Sequence, residues 1–327
     1  MEETMIRSNL GRGKGSVYRL CLMAFLGVAL ALVAFHPCAY AQDMKQKVFS
    51  SPEEAVKVLV AAAKGSDVKE MLTILGPEGR EIISSGDEVA DKAARERFIQ
   101  LYDEMNRLEE ESAGKVVLSV GYDDWPLPIP IVKKGGGWVF DTAAGKEEIV
   151  NRRIGRNELN VIDVCLAYGD AQREYYGKDW DGNGVMEYAQ KLMSDKGKWN
   201  GLYWEAEEDE VSSPLGPLVA GAIEVGYTVK KQGGKPNPYQ GYYFRILKAQ
   251  GKSAPGGAYN YVINGHMVAG FALVAYPAEY GVSGVMTFVV NQNGIVYEKD
   301  LGKNTEAAAK AMTSYNPDKT WREAARR

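Results

Sequence analysis

The segment Asp179-Trp180-Asp181-Gly182-Asn183-Gly184-Val185-Met186-Glu187-Tyr188-Ala189-Gln190 holds oxygen donors at a spacing that suits a hard cation. Calcium takes about six to eight oxygen ligands, and a loop of EF-hand type supplies them from positions 1, 3, 5, 7, 9 and 12, with Gly at position 6 for the sharp turn. Those positions fall on Asp179, Asp181, Asn183, the Val185 carbonyl, Glu187 and Gln190, with Gly184 at the turn. The expected cofactor is therefore Ca2+ in a structural role. Gln190 departs from the pattern, because a neutral amide gives one oxygen where a bidentate Glu is expected. That lowers affinity or draws the last ligand from elsewhere. The competing reading of the same letters is a solvated turn whose Asp and Asn side chains satisfy local amides.

Other constellations carry less. Gly251-Lys252-Ser253 is followed by Ala254-Pro255-Gly256-Gly257 where a phosphate-binding loop needs a helix. Gly281-Val282-Ser283-Gly284 has Val285 in place of the second Gly of a nucleophile elbow. Asp123 and Asp124 are adjacent, and neighbouring strand residues face opposite ways, so they make a poor acid/base pair. The acidic run Glu205, Glu207, Glu208, Asp209 and Glu210 reads as a solvated loop. Trp199, Tyr203 and Trp204, near Trp180, offer flat faces for a sugar ring or a peptide side chain, with core packing the plainer use.

The inventory of nucleophiles is small. Arg7, Arg12, Lys14 and Arg19 precede an uncharged apolar run from Leu20 to Phe35, then Pro37 and the small-residue site Ala39-Tyr40-Ala41. That order is the one of a secretory signal peptide over residues 1–41, cleaved before Gln42. The run is shorter than the roughly 20 apolar residues of a bilayer span. A periplasmic or secreted location is the expectation, with membrane attachment only through an uncleaved leader. Cys21, Cys38 and His36 leave with the leader, so Cys165 and His266 remain, far apart in sequence. Cys/His catalysis and Cys/His zinc sites are thereby disfavoured, and Cys165, in an apolar helical stretch, reads as a buried thiol.

Charge excludes another class. Lys and Arg number 39 against 43 Asp and Glu; the leader carries four basic and two acidic side chains, leaving 35 against 41. A net-acidic chain without a basic block is a poor binder of nucleic acid.

The elements that must position these residues form an α+β pattern. Ser51-Pro52-Glu53-Glu54 opens a helix, and Val68, Met71, Leu72 and Leu75 repeat at helical spacing in a second. A third helix is expected from Asp91 to Leu108, and strands at 115–120, 129–132 and 138–141 follow. This gives a linker at 42–50 and an N-terminal α+β domain at 51–155. The charged segment Asn151 to Asn157 marks the expected boundary with a C-terminal domain at 156–327. There a helix spans about 157–176, and a second runs from Val185 to about Met193 beyond the Asp/Gly loop. Strands are expected at 242–247, 259–263, 268–276, 285–290 and 295–299, the last two joined at Asn293-Gly294, whose residues readily take the positive φ of a tight hairpin turn. Residues 304–314 read as a last helix.

Several long words resemble a bacterial exported family known only as domain of unknown function 2950. They include Gly201-Leu202-Tyr203-Trp204, Ser213-Pro214-Leu215-Gly216-Pro217-Leu218, Gly270-Phe271-Ala272-Leu273-Val274-Ala275-Tyr276-Pro277 and Trp125-Pro126-Leu127-Pro128-Ile129-Pro130. The family implies no activity. Ala275-Tyr276-Pro277, Gly281 to Gly284, Thr287-Phe288-Val289-Val290 and Asn293 to Tyr297 make the second half similar to the globular heads of type IV pilin-like and pseudopilin proteins. The first half resembles small cone-shaped modules of the nuclear-transport-factor type.

These readings favour an exported, non-enzymatic binding or scaffold protein with an envelope protein or glycan as partner. The alternatives are a hydrolase of cell-wall glycan or peptide, with two carboxyls flanking an aromatic cleft, and a pseudopilin-like secretion or pilus assembly factor.

Overall fold

Ser51 and Pro52 open the first helix as their chemistry requires. The Ser51 side chain accepts the Glu54 N–H at 3.2 Å, and proline at the first position forgoes no hydrogen bond. The computed structural model describes residues 45–180, 182–206, 211–227 and 237–325. The expected leader, residues 1–41, lies outside them. No helix among the described residues is long and apolar enough to cross a membrane.

The architecture is mixed α+β. Helix α1 (Pro52–Lys64) and helix α2 (Val68–Leu75) pack Val56, Leu59, Val60, Met71 and Ile74 into a first core. A short helix α3 (Arg80–Ile83) and helix α4 (Glu88–Glu104) follow. The sheet beneath is antiparallel: β1 (Asn106–Ser112), β2 (Lys115–Val120), β4 (Ile131–Lys134) and β5 (Gly137–Phe140) lie side by side, with β3 (Trp125–Pro126) on β2. Leu118, Val120, Ile131 and Phe140 close the core from this side. The helix expected to reach Leu108 stops at Glu104, because Asn106 to Ser112 pairs with β2 as a charged edge strand. Charge on an edge strand discourages pairing with another chain.

Helix α5 (Thr142–Tyr176) has 35 residues and a length of about 50 Å. The charged segment at 151–157 lies inside it. Its polar side chains find partners that let the helix continue: Arg152 pairs with Glu148 one turn back, Arg153 donates to the carbonyls of Glu81 (2.6 Å) and Ile82, and Asn157 Nδ2 donates to the Ser283 carbonyl at 2.9 Å. Ile149 packs on the first core. Val161, Ile162, Cys165 and Tyr168 belong to a second.

That second core lies between α5 and an antiparallel sheet in the order β14 (Arg322–Glu323), β13 (Val296–Asp300), β12 (Met286–Asn291), β11 (Ala272–Pro277), β6 (Tyr242–Leu247). All six residues of β11 are buried, as expected of a strand covered on both faces. Two short antiparallel pairs, β7 (Ala249–Gln250) with β8 (Tyr259–Asn260) and β9 (Val262–Ile263) with β10 (His266–Met267), form separate two-stranded sheets. Helix α6 (Gly216–Glu224) and helix α7 (Thr305–Ala311) complete it. Gly284 is dictated by packing, since a Cβ there would stand 2.0 Å from the Tyr242 hydroxyl oxygen.

One expected helix is absent. Residues 185–193 are irregular chain, because their backbone groups bond to distant partners. The Tyr188 N–H donates to the Met267 carbonyl, while the carbonyls of Lys191 and Leu192 accept from Leu202 and Tyr203. Gln172 of α5 takes both the N–H and the carbonyl of Ala189, at 2.8 and 2.9 Å. A backbone satisfied in this way has no need of the helical ladder.

Candidate functional site

Three features stand together on the second core: the Asp179 loop, a tryptophan corner and an apolar cavity.

Helix α5 ends at Tyr176 with Gly177 as its cap, and the chain turns at once around Asp179. Asp179 Oδ1 accepts the N–H groups of Gly182 (2.9 Å) and Asn183 (3.2 Å), and Oδ2 accepts that of Gly184 (2.8 Å). Asn183 Oδ1 accepts the Val185 N–H at 2.7 Å. Gly182 and Gly184 have φ of +70° and +83°, which a side chain would resist. The loop is thus folded about its first carboxylate, with Val185 fixed behind Asn183.

The next two expected ligands lie elsewhere. Glu187 Oε1 is 3.0 Å from His266 Nδ1, and Oε2 accepts the Met267 N–H at 3.1 Å. Gln190 donates to the Gly265 carbonyl at 2.7 Å and accepts from Lys248 Nζ at 2.9 Å. Glu187 and Gln190 therefore tie the segment to the β9–β10 hairpin and its neighbours. Asp181 lies outside the described residues. Among the described residues no three His, Cys, Asp or Glu side chains converge as a metal-holding group.

Trp180 sits beside this loop, stacked on Tyr175 with ring centroids 5.7 Å apart, and its Nε1 donates to the Tyr175 carbonyl at 2.8 Å. Trp204 lies 4.8 Å from Trp180 and is 7% exposed; Trp199 meets Trp180 edge-on at 5.8 Å and is 39% exposed. Lys178 places its ammonium 4.4 Å from the Trp180 ring centre and 5.6 Å from that of Trp199, a cation–π arrangement. The corner is part core, part surface.

The cavity holds about 270 Å³. Helix α5 contributes Val164 and Tyr168, the irregular chain contributes Leu192, Met193 and Leu215, and the sheet contributes Tyr243, Phe244 and Leu273. Helix α6 roofs it with Leu218, Val219, Ala222 and Ile223, and Tyr227, Asn237, Pro238 and Tyr239 complete the wall. Among the described residues the lining has no carboxylate, amine, imidazole or thiol. Burial raises the Tyr168 and Tyr243 hydroxyls above the usual phenol range, so they stay protonated at neutral pH. Sequence reasoning missed this cavity, whose walls come from segments far apart in the chain. The local signal was the run Leu215 to Ile223, apolar apart from its backbone, with Pro217 in its first turn.

The remaining candidates are structural. Burial pushes the Cys165 thiol up to about 12, which keeps it from reacting as a thiolate at neutral pH. Ser283 is fully buried and donates to the Glu279 carbonyl at 3.2 Å. Gly251 to Ala254 forms a turn, not a helix N-terminus, and Ser253 N–H donates to Asn316. Of the acidic run, residues 207–210 lie outside the described residues.

The chain belongs to the family described as protein of unknown function DUF2950, whose model matches residues 46–324. No curated protein and no solved structure matches it.

Proposed function

We propose that this chain is an exported binding protein of the bacterial envelope, holding an uncharged apolar group in the cavity beneath α6. The lining of that cavity carries the reading: among the described residues its walls are apolar and aromatic apart from the Tyr hydroxyls and Asn237. Such a surface gains from excluding water, about 25 cal/mol per Å² of apolar area covered, and among the described residues it offers no carboxylate or imidazole to take a proton. Its size is near the lower end of ligand pockets, which suits one hydrocarbon chain or one aromatic group of a larger partner. Export rests on the order of charges and apolar residues from Arg7 to Ala41.

The second half, a long helix laid on a meandering antiparallel sheet, supports kinship with pilin-like heads. The helices packed with a small antiparallel sheet in the first half support a nuclear-transport-factor-like module. In this reading calcium is structural, held by the Asp179 loop, whose carboxylate and Asn183 oxygen gather three and one backbone amides respectively.

Titration of residues 42–327 with N-phenyl-1-naphthylamine, a neutral fluorophore that brightens in apolar surroundings, tests the binding reading. Saturable brightening, weakened by Leu218→Glu, is expected. A linear, unsaturable response equal in the variant would remove the reading.

A further inference from the structure

We infer that Asp87, the residue that caps α4, is the positioning residue for the cavity of the second core, holding the end of α6 against the start of β6. The inference deepens the binding reading and rests on it for its functional meaning.

Asp87 precedes α4 and caps it, Oδ1 accepting the Ala90 N–H at 3.1 Å. Oδ2 accepts two further hydrogen bonds, each 2.8 Å, from the Tyr227 hydroxyl and the Gly241 N–H. These two donors belong to different chain segments that meet at the cavity wall, where the Tyr227 ring packs edge-on against Tyr239 at 4.9 Å. Tyr227 follows α6, is anchored to it by its N–H on the Ala222 carbonyl, and lines the cavity. Gly241 leads into β6, whose Tyr243 and Phe244 also line the cavity. The Tyr227 hydroxyl also accepts the Gln240 N–H at 3.1 Å, which closes the arrangement. A single carboxylate oxygen therefore joins the end of α6 to the start of β6.

The bridge is stiff for physical reasons. Asp87 is 1% exposed, and a buried carboxylate is tolerated only with a full set of donors. It has three here, together with the positive end of α4. Gly241 reaches it with φ +77°, and a Cβ at that position would stand 2.5 Å from Asn157 Nδ2, so only glycine brings its N–H so close. Burial and the Asp87 charge raise the Tyr227 hydroxyl far above the phenol range, keeping it a donor. Removing one donor leaves charge under-satisfied, and the more loosely held of the two segments it joins relaxes, since β6 is paired along its length with β11. That segment is α6, where Ala222 is the buried residue and Ile223 is 47% exposed.

The test uses Tyr227→Phe, which deletes one hydroxyl, and Asp87→Asn, which keeps an oxygen to cap α4. Hydrogen exchange is followed without ligand, and N-phenyl-1-naphthylamine binding is measured in parallel. Exchange at residues 216–224 should quicken by about tenfold, the scale of a lost hydrogen bond to a charged group, while β2 keeps its protection. Probe affinity should fall about fivefold or more for the same reason. Unchanged exchange at 216–224 in both variants overturns the inference, and so does a loosened α6 that leaves probe affinity unaltered. A loosened α6 in a protein whose wild type binds no probe upholds the positioning role and removes the binding reading instead.

Discussion

Glu187 and His266 stand 3.0 Å apart, with the second Glu187 oxygen on the Met267 N–H. This pair buttons the chain after the Asp179 loop to the β9–β10 hairpin. Glu187→Ala leaves the Met267 N–H without its acceptor and should lower stability by about 1–3 kcal/mol, seen as a fall in the denaturant midpoint without a change in slope. A midpoint equal to wild type would show that the contact contributes nothing.

Calcium and the loop are separable. If the loop holds the ion, excess calcium at 100 times its dissociation constant should add about 2.7 kcal/mol to stability relative to chelator. Asp179→Ala should abolish that increment. It should also destabilise the chelated protein, because three backbone amides lose their acceptor. An equal calcium increment in wild type and variant would place any ion elsewhere.

Gly155 lies on the exposed face of α5, with open space where a Cβ would stand. Gly155→Ala should therefore stabilise by about 0.5–1 kcal/mol, and Gly155→Pro should cost about 3 kcal/mol or more by breaking the helix. Thermal melts of both variants check the continuity of α5 between the cores. A chain that bends at 151–157 would tolerate the proline.

Asp91 gives a pH signature. Burial raises its pKa above the ordinary 3.8, although Ser85 N–H and Oγ and the Arg153 charge pull the other way. The folded state thus binds the Asp91 proton more tightly than the unfolded chain. This contribution to stability is fully present below pH 3.8 and is lost as pH rises through the raised folded value. The stability difference between wild type and Asp91→Asn should accordingly shift in favour of wild type as pH falls through that window. A pH-independent difference would contradict the assignment.

Elements built from local rules are legible in the residues. The strands at 115–120 and 242–247 agree with their expected ends, and Ser51 caps α1 as expected, although Glu54 reaches back to the N–H of Ser50, not of Ser51. What escapes depends on partners distant in sequence. Residues 185–193 look helical until Gln172, Met267, Leu202 and Tyr203 claim their backbone groups. Arg153 and Asn157 look like part of a domain boundary, and the carbonyls of Glu81, Ile82 and Ser283 absorb their donors within a continuous helix. The candidate loop shows its turn around Asp179 in its letters, but not that Glu187 and Gln190 are spent on a hairpin some 75 to 80 residues away.

Helix α5 is the common spar of the molecule, with Ile149 packed against one hydrophobic cluster and Val161 in the other. Neither cluster can melt without stripping half of its apolar stripe, so calorimetry should record one cooperative heat-absorption peak for both halves.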